Sequence, residues 1–410
     1  MRIVFLLLFA LSLWAKQALA PLEEKLYAFI KQNQIQEHPI NRYIGTWPSY
    51  PKYSGVRKEI PESNSFMTLQ TLILLHEIDQ DYFLPGLNTL LDSANKQILH
   101  YIDDAKHTDE PAGTVAFWPL IKTDTGRLIR SFDTQWYNTT MRILDVGNDF
   151  DTSSQAFVWL YLRKQKREFL DGFVHSVNSY IDTDRSNEHP LNLLWKEADS
   201  GAFLTWSEEE APGKPVNRIM DLVNDVDCVV NLNILTALSL YENNIGLLPP
   251  LTVQAKESSC SLIHKVIDKA QEEQCGTWYT RPSHFYLAYA KAYKADTFCI
   301  QKDKDIILQR AKQRVRYLLE HPALKAYTEI AEYIVILKSL QEKEERGYFL
   351  KKTILSLENT LRKGIVQRDK YAYLPSKHSL FGGEAFGLFQ FNWYGRANAT
   401  ALALRALTMN

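Results

Sequence analysis

The sequence predicts an all-α fold, an (α/α)6 toroid of six helical hairpins with two small β-hairpin insertions. Two observations on the pattern indicate this class: helical segments of two kinds alternate along the chain, and no linker-like stretch interrupts them. The third observation is size, because 410 residues with 45% apolar and 12% aromatic content can bury a large core. We therefore predict one domain over residues 21-410.

The first kind of segment is amphipathic. Over residues 169-181, apolar side chains recur at intervals of three and four with charged residues between them, as expected of a helix with one buried face. We place these segments on the outside of the fold, at 22-34, 86-102, 169-181, 256-270, 305-319 and 347-362.

The second kind of segment is apolar almost all round, as in "VVNLNILTALSLY". A helix without a polar face must be enclosed by other helices. Because these segments alternate strictly with the first kind, we predict that they form an inner ring around a central cavity. The predicted inner helices are 66-78, 151-162, 228-240, 283-294, 328-340 and 395-408.

Two insertions break the alternation. The stretches near 113-133 and 200-220 contain strand-like segments around turns that carry glycine or proline, a pattern typical of β-hairpins. Each insertion comes shortly before one of two helix starts that resemble each other. We expect the insertions to form a rim over one mouth of the cavity.

Residues 1-20 have the pattern of a signal peptide: Arg2, an apolar run from Ile3 to Trp14, and small residues before Pro21. The run is shorter than the ~18 residues that a membrane span needs, so we predict an exported protein, periplasmic or secreted, with no span in the mature chain. Because Pro21 would follow a cut after Ala20, cleavage after Ala15 and a retained anchor are alternatives.

The four cysteines are Cys228, Cys260, Cys275 and Cys299. An exported protein can form disulfides, and four cysteines allow three pairings. Because Cys228 lies within a helix start, the pattern favours a bond between two of the other three. Four buried thiols are the alternative interpretation.

The charge balance limits the class of partner. Lysine plus arginine (47) nearly equals aspartate plus glutamate (48), which leaves no basic field of the kind that attracts nucleic acid or anionic lipid. We therefore expect a small-molecule or glycan ligand and no nucleic acid.

Two predicted inner helices begin alike, with "NDFDTSSQAF" from Asn148 and "NDVDCVVNLN" from Asn224. One aspartate of each pair can cap its helix, and capping alone is a competing interpretation. The second carboxylate exceeds what a cap needs. In an alternating ring these starts meet at one face, so we predict catalytic acid-base roles for Asp149, Asp151, Asp225 and Asp227.

The neighbouring helix starts supply the predicted substrate-binding residues, which are Trp278, Tyr279, Arg281, His284, Trp393, Tyr394 and Arg396. Further rim tryptophans are Trp136, Trp195 and Trp206. Flat aromatic faces suit sugar rings, and glycoside hydrolysis places two carboxyl groups beside the bond. The arginines are natural partners for Glu329 and Glu332, or for an anionic substrate.

The alternation of enclosed and amphipathic helices resembles the toroid superfamily of terpenoid cyclases and protein prenyltransferase β subunits. For the cyclase motif Asp-x-Asp-Asp-Thr, the nearest stretch is "NDFDTS", with Asp151 and Thr152 in register. For the prenyltransferase zinc site, the matching residues are Asp225, Asp227 and His284. The resemblance implies isoprenoid chemistry, with a divalent ion as an alternative cofactor; no cofactor is certain.

Three hypotheses of function stay open from the sequence. The first is an exported, glycan-processing hydrolase that uses carboxylates in the central cavity. The second is an isoprenoid- or lipid-handling protein that resembles the terpene cyclases or prenyltransferases. The third is a non-catalytic ligand-binding protein.

Overall fold

Twelve α-helices make up most of the chain that the structure describes. The structure is a computed structural model and describes residues 16–38, 40, 43–53, 62–106, 112–122, 128–130, 148–183, 200–207, 226–276, 278–279, 281–321, 326–341, 347–376, 381–385 and 389–409. The helices are α1 (Pro21–Gln32), α2 (Ser65–Asp81), α3 (Leu87–Lys106), α4 (Phe150–Leu162), α5 (Arg167–Ser176), α6 (Cys228–Asn244), α7 (Pro250–Asp268), α8 (Pro282–Lys294), α9 (Lys304–Glu320), α10 (Tyr327–Leu340), α11 (Tyr348–Gly364) and α12 (Arg396–Thr408). The predicted helical class is thus confirmed.

Local sequence explains where these helices begin. Asn64, Asp149 and Asp227 cap α2, α4 and α6, and each accepts a hydrogen bond from a backbone N–H of the first turn. Proline occupies the first helical position of α1, α7 and α8, where its missing N–H costs no helical hydrogen bond. All twelve predicted segments contain an α-helix, with boundary differences of up to six residues: the helix predicted at 256-270 begins at Pro250, and the one predicted at 169-181 ends at Ser176.

The even-numbered helices are buried along nearly their whole length, and we call them the buried helices. In α10, for example, Thr328 to Leu340 are all buried. Each buried helix contacts the next buried helix along the chain, and α12 contacts α2. The odd-numbered helices are amphipathic and pack against the buried ones. The predicted division into two kinds of helix therefore holds.

The buried helices point in one direction. Their first turns come together, because Phe66 of α2, Asp151 of α4 and Val230 of α6 line one small pocket. Their last turns also come together, because Asp81 of α2 and Lys294 of α8 line one larger cavity. The fold therefore has two different ends, one formed by helix starts and one by helix ends.

The strands lie mainly at the end formed by helix starts. They are β1 (Tyr50–Tyr53), β2 (Leu120–Lys122), β3 (Leu128–Arg130), β4 (Val366–Gln367), β5 (Ala372–Tyr373), β6 (Phe381–Ala385) and β7 (Phe389–Tyr394). The antiparallel pair β2-β3 confirms the first predicted hairpin. An antiparallel sheet of order β1-β7-β6 was not predicted, and only the end of β7 lies in a segment that the sequence pattern assigned, to the start of α12.

The second predicted hairpin is described only in part. Residues 200–207 form isolated bridges, from Ile181 to Phe203 and from Asp149 to Trp206, and no hairpin forms within this stretch. The rest of the insertion, 208-220, lies outside the described residues.

Both cysteine pairs form disulfides, Cys228–Cys275 and Cys260–Cys299. The expectation that Cys228 would not pair was wrong. Its Cα lies 5.4 Å from that of Cys275, because the segment before α8 runs past the start of α6 and the Cys228 N–H donates to the Cys275 carbonyl at 2.8 Å. A cysteine in a helix start can reach a partner on the neighbouring segment.

None of the helices in the described residues is long and apolar enough to cross a bilayer.

Candidate functional site

Asp149 and Asp151 lie together at the start of α4, and both are buried. Asp149 is the N-cap: one oxygen accepts from the Thr152 N–H and the other from the Thr152 hydroxyl at 2.8 Å. Asp151 has a different set of partners. Asn233 of α6 donates to it at 2.6 Å, and the Tyr279 hydroxyl donates to its second oxygen. The surplus carboxylate is thus held by two side chains from other segments.

An aromatic pocket of about 60 Å³ encloses this acid pair. Thr152 and Thr205 contribute polar atoms, while the remaining wall is apolar. The apolar and aromatic lining residues are Phe66, Phe117, Trp206, Val230, Trp278, Tyr279 and Trp393. We call this space the acid pocket.

Hydrogen bonds from backbone N–H groups bring Trp206 and Trp278 to the acid pocket. The Phe150 N–H donates to the Thr205 carbonyl at 2.9 Å, which places Trp206 beside the acids. The Trp278 N–H donates to Asp227 at 2.9 Å, and the Trp278 and Trp206 rings meet edge to face with centroids 5.5 Å apart. Helix starts and insertion edges together therefore build the aromatic wall.

Burial changes the acidity of both aspartates. It raises the pKa of Asp149 to about 7, with a further contribution from the negative charge of Asp151. Burial also raises the pKa of Asp151 to about 6, against the hydrogen bonds from Tyr279 and Asn233, which lower it. Near neutral pH this pair can therefore both hold and release a proton.

The side chain of Asp227 binds backbone N–H groups at the start of α6 and in the segment before α8. It caps α6 by accepting from the N–H groups of Val229 and Val230 at 2.7 and 3.2 Å, and its other oxygen accepts from Trp278. Its side chain is fully buried and is not part of the acid-pocket wall. Asp225, its predicted companion, lies outside the described residues, as do Trp136 and Trp195.

Arg281 and His284 lie next to the acid pocket, at the start of α8. The Arg281 Nη2 donates to Glu332 at 2.8 Å and to the Nε2 of His284 at 2.7 Å. This ion pair confirms the predicted match between Arg281 and Glu332. Burial and the Arg281 charge hold the pKa of His284 well below its usual range, so its ring is neutral and accepts from the guanidinium.

The last three predicted ligand-binding residues, Trp393, Tyr394 and Arg396, lie in different places. Trp393 reaches the acid pocket from the end of β7. Tyr394 pairs with Tyr50 in the sheet, and Arg396 is exposed with its guanidinium 5.4 Å from the centre of the Tyr50 ring. Arg396 therefore lies at the protein surface and does not line the acid pocket.

Glu62 is a buried carboxylate that sequence reasoning did not select. It accepts from the indole nitrogens of Trp118 and Trp393, from Ser49 at 2.7 Å and from Asn64 at 2.8 Å. Burial raises its pKa, and these four bonds lower it. Glu62 lies just before α2, as Asp149 lies just before α4 and Asp227 just before α6. This shared position at a helix start is the sequence signal that could have identified Glu62.

A larger cavity of about 400 Å³ lies among the buried helices, and we call it the central cavity. Tyr279 lines both this cavity and the acid pocket, so its ring lies between them. Glu77, His284, Lys291 and Glu332 give the cavity polar walls between stretches of leucine, isoleucine and valine. Burial lowers the pKa of Lys291, against the nearby charges of Glu77 and Asp151.

The described residues contain no group of three or more histidine, cysteine, aspartate or glutamate side chains arranged to hold a metal ion. His284 of the predicted zinc set accepts a hydrogen bond from Arg281 through its Nε2, which places a cation where a metal would bind. Its predicted partner Asp225 lies outside the described residues.

Compared with known proteins, the chain matches no protein-family model, and no curated protein or solved structure is significantly similar to it.

Proposed function

We propose that the chain is an enzyme that transfers protons to and from a neutral substrate group in the acid pocket. One observation carries the proposal: two buried carboxyl groups with pKa values raised to about 7 and about 6 share a pocket walled by aromatic rings. General acid-base catalysis works best when the pKa values of the catalytic groups lie near the operating pH.

The two aspartates take different roles in this proposal. Asp149, which has the higher pKa, is the proton donor. Asp151 accepts hydrogen bonds from Asn233 and Tyr279, which stabilise its ionised form, so it is the base. Asn233 and Tyr279 are then positioning residues, because they act through Asp151.

A glycan is the first substrate class that we propose. Trp206, Trp278 and Trp393 offer flat faces for sugar rings, and a carboxylic acid in an apolar pocket is the proton donor that glycoside cleavage requires. The pocket volume of about 60 Å³ suits the reacting group of a substrate, with the rest of the glycan outside it.

An unphosphorylated isoprenoid is the second substrate class. The wall of the acid pocket is almost entirely apolar, and aromatic faces stabilise a carbocation once an acid has protonated a double bond. This class also fits the (α/α)6 toroid that we propose for the twelve helices, with the buried helices as its inner ring. The cyclic contacts of the buried helices support that architecture.

Substitution of the acid pair tests the proposal. Asp149→Asn and Asp151→Asn remove the titrating groups while keeping size, and asparagine caps helices as well as aspartate does. With aryl glycosides and linear isoprenoid alcohols as probes, we expect turnover to fall by about 10²- to 10⁴-fold in both variants. The matched control is Asp92→Asn, an exposed acid that pairs with Arg163.

The substrate class that loses turnover in both variants identifies the reaction. Turnover or probe binding by Asp149→Asn and Asp151→Asn at the level of the Asp92→Asn control would contradict the acid-base role. Probe binding without turnover in the unsubstituted protein would favour a ligand-binding protein.

A further inference from the structure

Large apolar side chains are exposed mainly at one end of the protein. Of the nine large hydrophobic residues that are exposed among the described residues, seven lie where a buried helix ends and the next outer helix begins. They are Phe83, Leu247, Leu251, Phe298, Ile306, Tyr348 and Phe349. We call this set the apolar tips.

The apolar tips come from four separate connections, α2–α3, α6–α7, α8–α9 and α10–α11. Because the buried helices run in one direction, these connections lie at the same end of the fold. Scattered exposed leucines need no explanation, but apolar tips on four of the five connections at one end of the fold distinguish that end from the rest of the surface.

Covalent structure holds at least two tips outward. Phe298 is 88% exposed and precedes Cys299, which the disulfide to Cys260 fixes against α7. Leu247 is 91% exposed and is followed by Pro249 and Pro250, which restrict the backbone before α7. These side chains therefore cannot readily fold inward to escape water.

The central cavity reaches the surface at this end. Asp81 and Lys294, in the last turns of α2 and α8, line it, and the side chain of Lys294 is exposed. Met409, directly after α12, also lines it. An amphiphile that leaves a lipid surface at the apolar tips would therefore meet the cavity directly.

The first described residues of the chain lie at the same end. Lys16 pairs with Asp79 at 2.7 Å, and the Phe83 N–H donates to the Gln17 carbonyl at 2.9 Å. The described chain therefore begins beside the tip Phe83.

The fifth connection of this end is basic. Between α4 and α5 the chain reads Arg163-Lys164-Gln165-Lys166-Arg167, which places four cations in five residues. Lys164 and Lys166 are exposed. Arg163 pairs with Asp92 and Arg167 pairs with Asp171, so Lys164 and Lys166 provide the attraction to anionic lipid headgroups, at about 1 kcal/mol for each basic residue near a charged membrane surface.

We propose that the end formed by the apolar tips docks on a lipid bilayer surface, with the basic α4–α5 connection at the headgroups and the mouth of the central cavity facing the lipid. The tips enter the interfacial region without spanning it, as the exposed apolar side chains of peripheral proteins do. Docking requires nothing of the acid pair, so it stands independently of the proposed catalysis.

Vesicle co-sedimentation tests the docking surface. The full chain and residues 16–410 are mixed with phosphatidylcholine vesicles that contain or lack phosphatidylglycerol. We expect both forms to sediment with the vesicles, more strongly with the anionic lipid. Replacing Phe298, Tyr348 and Phe349 together by serine should weaken partitioning by at least about tenfold, because several buried aromatic side chains are lost.

The matched control is Leu355→Ser, because Leu355 is 57% exposed on the outer wall of α11. We expect this variant to bind vesicles and to melt like the unsubstituted protein. The proposal fails if residues 16–410 stay in the supernatant with both lipids, or if the triple variant binds as well as Leu355→Ser. It also fails if the triple serine substitution abolishes self-association while vesicle binding persists.

Discussion

Asp149 and Asp227 occupy equivalent positions, and their side chains both cap a buried helix. They differ in what surrounds the cap. Asp149 faces the acid pocket together with Asp151, whereas Asp227 directs both oxygens to backbone N–H groups. A single substitution at each position should therefore separate a chemical role from a structural one.

We predict that Asp151→Asn stabilises the protein at high pH. The pKa of Asp151 rises from 3.8 to about 6 on folding, so the folded state binds the proton more tightly than the unfolded state does. Stability is then greatest below about pH 4 and falls as the pH rises through 6. Asparagine removes this loss, which is on the order of 1–3 kcal/mol.

The measurement is thermal melting of Asp151→Asn and the unsubstituted protein between pH 4 and pH 8. The melting temperature of the variant, relative to that of the unsubstituted protein, should increase across this interval. Asp227→Asn is the comparison, since its amide would face the Trp278 N–H and cost about 1–3 kcal/mol at every pH. A constant offset for Asp151→Asn would contradict a raised pKa.

At the scale of elements, the two disulfides fix different parts of the fold. Cys228–Cys275 joins the start of α6 to the segment that carries Trp278 and Tyr279. Cys260–Cys299 joins α7 to the connection that carries Phe298. The first bond therefore supports the acid pocket, and the second supports the apolar tips.

We predict that the double variants Cys228→Ala/Cys275→Ala and Cys260→Ala/Cys299→Ala lose similar amounts of stability, about 2–4 kcal/mol each. The expectation follows from their similar sequence separations, 47 and 39 residues. Only the first variant should also weaken ligand binding in the acid pocket. Denaturant unfolding and probe binding, measured on both variants, check this; equal effects on binding would contradict it.

How far sequence patterns predict this fold depends on the element. The buried helices were predictable because a helix without a polar face has to be enclosed, whatever its neighbours are. The sheet of order β1-β7-β6 was not, because β1 and β7 are more than 300 residues apart and their short strands give little periodicity of their own.

The residues of the candidate site also divide into those that the sequence predicts and those that it does not. Asp149 and Asp151 could be selected because one cap does not need two carboxylates. Asn233 and Lys291 could not be selected, since each lies inside an apolar segment. Only the folded structure shows that both lie close to Asp151. Glu62 was visible as an acid at a helix start, but its two indole partners come from segments far away in the sequence.

At the scale of the whole molecule, residues 16–20 belong to the folded body. Lys16 and Gln17 bind the end of α2, and Leu19 is buried. We predict that the chain of residues 16–410 melts at the same temperature as the full chain. Removal of residues 16–20 as well should lower the melting temperature, because an ion pair and a buried leucine are lost.

Thermal melting of residues 16–410 and 21–410 provides the comparison. Equal melting temperatures would contradict the structural role of residues 16–20. If the protein is exported, as its N-terminal pattern predicts, a cut after Ala15 would keep these contacts and a cut after Ala20 would remove them.

Contact between the first and last buried helices has a consequence for synthesis of the chain. Arg405 of α12 pairs with Glu77 of α2 at 2.9 Å, across 328 residues. At the usual rate of about 5–20 residues per second, a ribosome needs roughly 15–65 s to make that interval. For this time the apolar side of α2 that α12 will cover has no native partner, so the packing of the buried helices can be completed only after the last residues of the chain have been made.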